Sequence, residues 1–298
     1  MAELAPQELR ILVAVAETGG FSAAGTALGL TQSAVSHAVR AAERKIGAVL
    51  FSRDRRGARP TPAGEAAVAH ARRVLRLLEV LVAEARAAAA PAAGGPEPAG
   101  VLRVAAFRSA ALHLLPPALE RLAARYPGIR PEVRVVRELG AGTAGEVAAG
   151  RADLGIATLG GSGGLPSGVL SGALLEEPYS LVHPAGHPDP RSLPFVDWDE
   201  NCGSYTRAWW RRQDWIPAAT VRAEDDGMVL AMVERGLGMA IMPALSLNGA
   251  PDTVGIRDLG PDGPVRTVGY VTTPEQAANR AVQALIRELR AGRGVLAA

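Results

Sequence analysis

A helical pattern that halts at a glycine and restarts two residues later on a capping threonine constrains this chain more than any other stretch. It lies within residues 21–64, FSAAGTALGLTQSAVSHAVRAAERKIGAVLFSRDRRGARPTPAG. Ser22 is placed to cap a short helix over Ala23 to Leu28, with Phe21 before it as an apolar anchor. Gly29 supplies the turn because it accepts positive φ without steric cost. Thr31 then caps a longer helix that runs to about Ile46 and stops at Gly47. Ala24, Ala27, Leu30, Val35, Val39 and Ile46 are the expected inward positions. Upstream, Leu9, Leu12, Val13 and Ala16 recur at helical spacing and end at Gly19-Gly20. Downstream, Leu50 and Phe51 lead into a hairpin with Arg55-Arg56-Gly57 at its tip.

The outward face of the second helix carries chemistry suited to base edges. Thr31, Gln32, Ser33, Ser36, His37 and Arg40 fall there. Gln pairs in bidentate fashion with adenine, while Arg and His donate to guanine N7 or O6. Hydroxyls and the amides of the helix N-terminus suit phosphates. Arg53, Arg55, Arg56 and Arg59 of the hairpin suit phosphate or minor-groove contacts. The plainer alternative is a solvated basic face on an ordinary helical bundle.

Charge is informative only where it clusters. The formal net charge is just +2 over 298 residues. Between Arg40 and Arg59, however, seven basic residues face two acidic ones, a local net of +5. With 48% hydrophobic and 21% charged residues, the composition is that of a folded chain. The one cysteine, Cys202, excludes an intrachain disulfide and a cysteine-rich zinc site. The first residues, MAELAPQELRIL, lack the basic start of a signal peptide, and no apolar run reaches the roughly 18 residues of a membrane helix. A cytoplasmic location is therefore expected.

The hairpin leads into a long helix, residues 65–90, in which Val68, Ala71, Leu75, Leu78, Val82 and Ala85 alternate spacings of three and four. That is the a/d seam of a two-helix coiled coil, or else the inner face of an amphipathic helix packed on its own domain. Residues 91–100, PAAGGPEPAG, read as a linker. From 101 to 298, short apolar runs alternate with helices, as in mostly parallel sheets with helices on both faces. Expected strands are Val101–Ala106, Glu132–Val136, Leu154–Thr158, Tyr179–His183, Met239–Met242 and Val265–Val271. Expected helices are Leu112–Arg125, Gly145–Ala149, Met228–Arg235 and Gln276–Leu289.

These residues resemble the LysR-type transcriptional regulators. The spacing from Phe21 through Ala24, Leu28, Thr31-Gln32, Ser36, Glu43, Gly47, Leu50-Phe51, Arg53 and Thr61-Pro62-Ala63-Gly64 matches the family's signature. Gly150-Arg151-Ala152-Asp153-Leu154-Gly155-Ile156 and Leu237-Gly238-Met239-Ala240-Ile241-Met242-Pro243 resemble recurrent patterns of its effector region, so the resemblance spans essentially the whole chain. One departure is Ala42, where the family usually carries leucine. The resemblance implies an N-terminal winged helix-turn-helix over 1–64 and a dimerising linker helix over 65–90. It also implies an α/β effector-binding domain over 101–298, two-lobed like a periplasmic binding protein. Its lobes are expected at about 101–159 with 266–298, and at 160–265. It further implies homodimers, commonly paired into tetramers, that bind double-stranded promoter DNA under control of a small molecule, with RNA polymerase as a further partner.

Ligands of open α/β sheets collect at the carboxyl ends of strands. That rule selects Phe107, Arg108 and Ser109 after the first strand, with Thr158 and the helix start at Asp226-Gly227-Met228 nearby. Ser204, Tyr205, Thr206 and Arg207 are the candidates from the other lobe. Arg108 and Arg207 suggest an anionic effector; each candidate also serves equally well as a helix cap or loop residue. Trp209, Trp210 and Trp215 are assigned to packing. No cofactor or metal is expected: Pro184 and Gly186 deny His183 and His187 a shared helix, and no phosphate or dinucleotide loop is present. Gly160-Gly161-Ser162-Gly163-Gly164 matches a nucleophile elbow in form, but Leu165-Pro166-Ser167-Gly168 does not begin the helix an elbow requires. The main expectation is thus a ligand-controlled DNA-binding regulator. The alternative is an α/β binding or hydrolytic protein whose N-terminal helices serve association only.

Overall fold

The computed structural model describes residues 3–54, 57–89, 97–160, 164–200, 206 and 209–292. The chain divides into two compact units, Met1–Glu97 with Ala148–Ala152 and Pro98–Val147 with Asp153–Ala298.

The first unit is built from α1 (Pro6–Thr18), α2 (Phe21–Leu28), α3 (Gln32–Ile46), the antiparallel hairpin β1 (Phe51–Asp54) and β2 (Gly57–Pro60), and the long helix α4 (Pro62–Ala89). Leu12, Val15, Phe21, Ala24, Val35, Val39, Ala42, Leu50 and Val68 share one apolar core. Phe21 meets Phe51 edge to face at 6.3 Å, so the anchor expected before α2 joins the helices to the hairpin. Gly29 and Gly47 take left-handed φ values of 67° and 80° at the ends of α2 and α3. Thr31 caps α3, its Oγ1 accepting from the Ala34 N–H at 3.2 Å.

Three local expectations differ from the structure. Gly20 rather than Ser22 precedes α2, because the helix already begins at Phe21. Ala27 and Ile46 are exposed, and the inward place on α3 goes to Ala42, at 0% exposure. The junction of hairpin and α4 is tight: a Cβ on Gly64 would lie 1.9 Å from the Leu50 carbonyl oxygen, so only glycine fits. Thr61 fixes that junction by donating to the Val49 carbonyl at 2.7 Å and accepting from the Gly64 N–H at 3.1 Å.

The second unit centres on a seven-stranded sheet of order β10-β6-β11-β5-β3-β4, with β9 also paired to β6. Its strands are β3 (Gly100–Ala106), β4 (Ile129–Val135), β5 (Leu154–Leu159), β6 (Leu170–Pro184), β9 (Ala240–Pro243), β10 (Val254–Asp258) and β11 (Val265–Thr272). Only the pairings of β3 with β4 and with β5 are parallel; β5 is antiparallel to β11, and β6 to β9, β10 and β11. The sheet is therefore mixed, not mostly parallel. The cause is β6, whose 15 residues pair with β11 in their first half and with β9 and β10 in their second. A separate parallel pair, β7 (Phe195–Trp198) and β8 (Ala219–Ala223), was not expected from sequence, nor was β10.

The helices of this unit are α5 (Arg108–His113), α6 (Leu115–Arg125), α7 (Gly142–Ala148), α8 (Asp226–Glu234), α9 (Pro274–Ala277) and α10 (Arg280–Ala291). One core gathers β3, β5, α5, α6 and α10 around Leu102, Leu122, Ile156 and Leu285. Others lie around β6, β7, β9 and α8. Trp209, Trp210 and Trp215 do pack: Trp210 meets Phe195 at 5.5 Å and Trp209 meets Trp215 at 6.5 Å. Residues 161–163 of the serine motif lie outside the described residues, but Ser167 and Gly168 form a turn that leads into β6, not a helix. His183 sits on β6, buried, its Nδ1 at 2.9 Å from the Pro184 carbonyl. Among the described residues no helix is long and apolar enough to cross a membrane.

Candidate functional site

Two surfaces carry the chemistry. The first is the outward face of α3, where Thr31, Gln32, Ser33, His37 and Arg40 are all exposed. Their exposure follows from the opposite face, where Val35, Val39 and Ala42 are buried at 0–2%. Ser36 is a correction: it is 6% exposed and turned inward. At about 100° per residue it stands roughly 60° from Val39, on the buried border of the helix. Thr31 and Ser33 hold their hydroxyls 3.0 Å apart at the helix start. Arg53 lies on β1 opposite Ala58, and Arg59 is exposed on β2 opposite Ser52. Arg55 and Arg56 lie outside the described residues.

The expected α4 seam divides into two parts. Val68 and Ala71 are buried, at 2% and 1%, and Val68 belongs to the core of the first unit. Leu75 and Leu78 are half-buried, while Val82 and Ala85 are exposed. The apolar side chains left open are Val74, Leu77, Leu81 and Val82, at 40–62% exposure. Val82 belongs to the expected seam, but Val74, Leu77 and Leu81 each lie one residue before Leu75, Leu78 and Val82, since the first turns of α4 are used to close the winged domain.

The second surface is a pocket in the α/β unit at the carboxyl ends of β3 and β4. It is lined by Phe107, Arg108, Ser109, Glu138, Tyr179, Trp198, Glu200, Asp226, Pro243, Ser246 and Arg266. Its inner space is about 20 Å³, room for roughly one water. A second space of about 180 Å³ adjoins it through the shared residues Arg108 and Glu200, and reaches Arg137, Glu224 and Asp225.

The floor is an ion pair. Arg266 Nε donates to Glu177 Oε1 at 2.5 Å, with both side chains under 7% exposed. The guanidinium also lies over the Phe107 ring at 4.8 Å and reaches Ser109 Oγ at 3.5 Å. Glu177 Oε2 accepts from the Leu245 N–H at 2.7 Å. At the mouth, Arg108 donates to Asp226 Oδ1 at 2.6 Å, and Ser246 donates to the other oxygen of Asp226 at 2.6 Å. A Cβ on Gly227 would strike the Arg108 guanidinium, so the start of α8 admits that side chain only because this position is glycine. Arg137 donates to Glu200 at 2.7 Å. Glu138 accepts from Thr143 Oγ1 at 2.7 Å. Burial raises the Glu138 carboxyl to about 7, against the lowering influence of Thr143 and Arg266; Glu200 adds a smaller rise.

Of the residues expected from sequence, the pocket gathers Phe107, Arg108 and Ser109, and Asp226 from the helix start. Thr158 does not line it: it sits on β5 opposite Val268, its hydroxyl buried without a partner. Thr206 is fully buried and does not line it either. Ser204, Tyr205, Arg207 and Cys202 lie outside the described residues. Sequence reasoning missed Glu138, Glu200, Tyr179, Trp198 and Arg266. The rule that selected the end of β3 points equally to Arg137 and Glu138 after β4; nothing in the sequence marks Arg266 on an antiparallel strand.

Known proteins match both parts of the chain. Residues 6–65 match the family model described as the bacterial regulatory helix-turn-helix protein, lysR family, and residues 95–293 match the LysR substrate binding domain. A relative from Synechococcus elongatus, "Probable HTH-type transcriptional regulator LrrA", is 34% identical over 262 residues, covering 85% of each chain. Among solved structures, a full-length OxyR variant from Pseudomonas aeruginosa has a TM-score of 0.72 at 23% identity, over 97% of this chain and 95% of that one. Full-length CbnR in complex with its target DNA has a TM-score of 0.63 at 20% identity, over 97% of this chain and 99% of that one. The chain belongs to the LysR family of bacterial transcriptional regulators, DNA-binding proteins that are not enzymes and that carry a small-molecule effector domain.

Proposed function

We propose that α3 reads its promoter through Gln32, Ser33, His37 and Arg40 in the major groove, with Thr31 and the wing arginines Arg53 and Arg59 on flanking phosphates. The observation that carries this reading is the division of α3, with these polar side chains exposed and Val35, Val39 and Ala42 buried behind them. A recognition helix needs that division, since its N-terminal residues must reach base edges while the other face holds the domain together. The α4 stripe of Val74, Leu77 and Leu81 supports a homodimer on a two-fold site, with dimers pairing into tetramers. The pocket around Phe107, Arg108, Ser109 and Asp226 is the effector site. Work at chromosomal promoters places the protein in the cytoplasm, in reach of RNA polymerase.

The test is fluorescence anisotropy with the intergenic DNA upstream of the gene, in competition with unrelated duplex. His37→Ala and Arg40→Ala are expected to weaken binding to this DNA by about 1–3 kcal/mol each while leaving non-specific binding nearly unchanged. Equal losses on both duplexes would show that α3 does not read bases.

A further inference from the structure

Each arginine lining the pocket or its adjoining space is already matched by an acid of the chain. Arg266 is held by Glu177, Arg108 by Asp226 and Arg137 by Glu200. The acids are also more numerous: Glu138, Glu200, Glu224, Asp225 and Asp226 against Arg108, Arg137 and Arg266 among the described lining residues. Burial lowers the pKa of His113, with Asp226 opposing and Arg108 adding to the lowering, which favours its neutral form. Of the acids lining the inner pocket, Glu138, Glu200 and Asp226, only Glu138 forms no ion pair among the described residues; it takes its hydrogen bond from Thr143.

A carboxylate effector would have to share these arginines with the chain's own acids and lie beside the like charges of Asp226 and Glu200. A cation meets the opposite situation, an acid whose one positive influence, Arg266, is already held by Glu177. We propose that the effector is a small organic cation whose ammonium group sits on Glu138 in the inner space, with Asp226 and Glu200 beside it, and whose carbon chain lies in the adjoining space along Val135 and Val136. The assignment rests on this pocket being the effector site, and it replaces the anionic expectation raised by Arg108. Binding draws the Glu138 carboxyl to its ionised form, so affinity rises with pH through neutrality. The groups that set its titration are Thr143, Arg266 and Glu200, with Arg108 and Asp226 across the pocket.

Calorimetric titration of the full chain with putrescine and agmatine, against succinate and benzoate, tests this. The amines are expected to bind, with affinity several-fold higher at pH 8 than at pH 6. Glu138→Gln is expected to lower their affinity at least tenfold and to abolish that pH dependence. Should Glu138→Gln not fold, as judged by thermal unfolding, Asp226→Asn takes its place with a loss of at least threefold. Binding of the carboxylates instead, lost in Arg108→Ala, overturns the cation assignment and leaves the pocket reading standing. Binding of neither series, or amine binding untouched by both acid variants, overturns the pocket reading as well.

Discussion

Glu138 shows how a residue near the carboxyl end of a strand acquires a property its type does not announce. Its carboxyl is raised to about 7 by burial, with Thr143 and Arg266 opposing and Glu200 adding a smaller rise. The unfolded chain keeps the ordinary value of 4.5, so the folded state binds the extra proton between about 4.5 and 7. Stability from this group is present below 4.5, declines as pH rises through that window, and is gone above 7. Glu138→Gln mimics the protonated form at every pH. Urea unfolding from pH 4.5 to 8 is expected to show the variant gaining on the parent as pH rises, by roughly 1–3 kcal/mol at the top. A difference that stays flat over this range would mean that Glu138 does not titrate there. The same residue marks the limit of sequence reasoning about the site. Phe107, Arg108 and Ser109 were legible because parallel strands collect ligands at their carboxyl ends, and Glu138 comes after β4 by the same rule. Thr158 was misread because β5 continues past the pocket, paired to β11 through Leu159. The Arg266–Glu177 pair joins positions 89 residues apart on two antiparallel strands, and no local pattern encodes such a meeting.

At the level of elements, legibility followed the origin of each boundary. Thr31 and Gly47 delimit α3 because a hydroxyl cap and a left-handed glycine act within one turn of the chain. Ser22 failed as a cap because Gly20 takes extended backbone two residues earlier, φ −167° and ψ 150°, and lets the helix start at Phe21. The strands β7, β8 and β10 went unseen because each is only four or five residues long and owes its place to a distant partner. In α4 the periodicity was legible but its role was not. Heptad spacing does not say which turns face the chain's own core, and Val68 is held there. The stripe of Val74, Leu77 and Leu81 is exposed, and in the proposed homodimer it is the part that meets the partner helix. Leu77→Glu with Leu81→Glu is therefore expected to give monomers in sedimentation, with the α-helical signal kept and unfolding shifted little. The pair Val68→Glu with Ala71→Glu is expected to unfold the winged domain instead. Dimers that persist in the first variant would reject the stripe as the interface.

For the whole molecule, the quantity that joins these elements is the number of phosphates the assembly neutralises on DNA. Net charge is only +2, so affinity has to come from local clusters held in register, not from a general positive field. Each phosphate contact displaces condensed counterions, and log K falls against log salt with a slope of about −0.9 per contact on duplex DNA. Arg59 is exposed on β2, and in the proposed docking it makes one such contact for every copy of the wing that reaches the duplex. Arg59→Ala should then flatten the slope by about 0.9 for each bound protomer, near 1.8 for a dimer and twice that for a tetramer with all four wings engaged. The monomeric Leu77→Glu, Leu81→Glu protein should lose only about 0.9 on the same substitution, and its parent slope should be about half that of the dimer. Salt titrations between 50 and 300 mM, read by anisotropy, therefore count protomers on DNA independently of sedimentation (the salt range is roughly that over which such slopes are linear). Glu138→Gln lies in the other unit, outside the proposed α3 and wing contacts, so it should leave the slope unchanged while altering the response to amines. An unchanged slope in Arg59→Ala would place the wing away from the phosphates. An unchanged slope in the monomeric protein would mean that one copy alone accounts for all the binding.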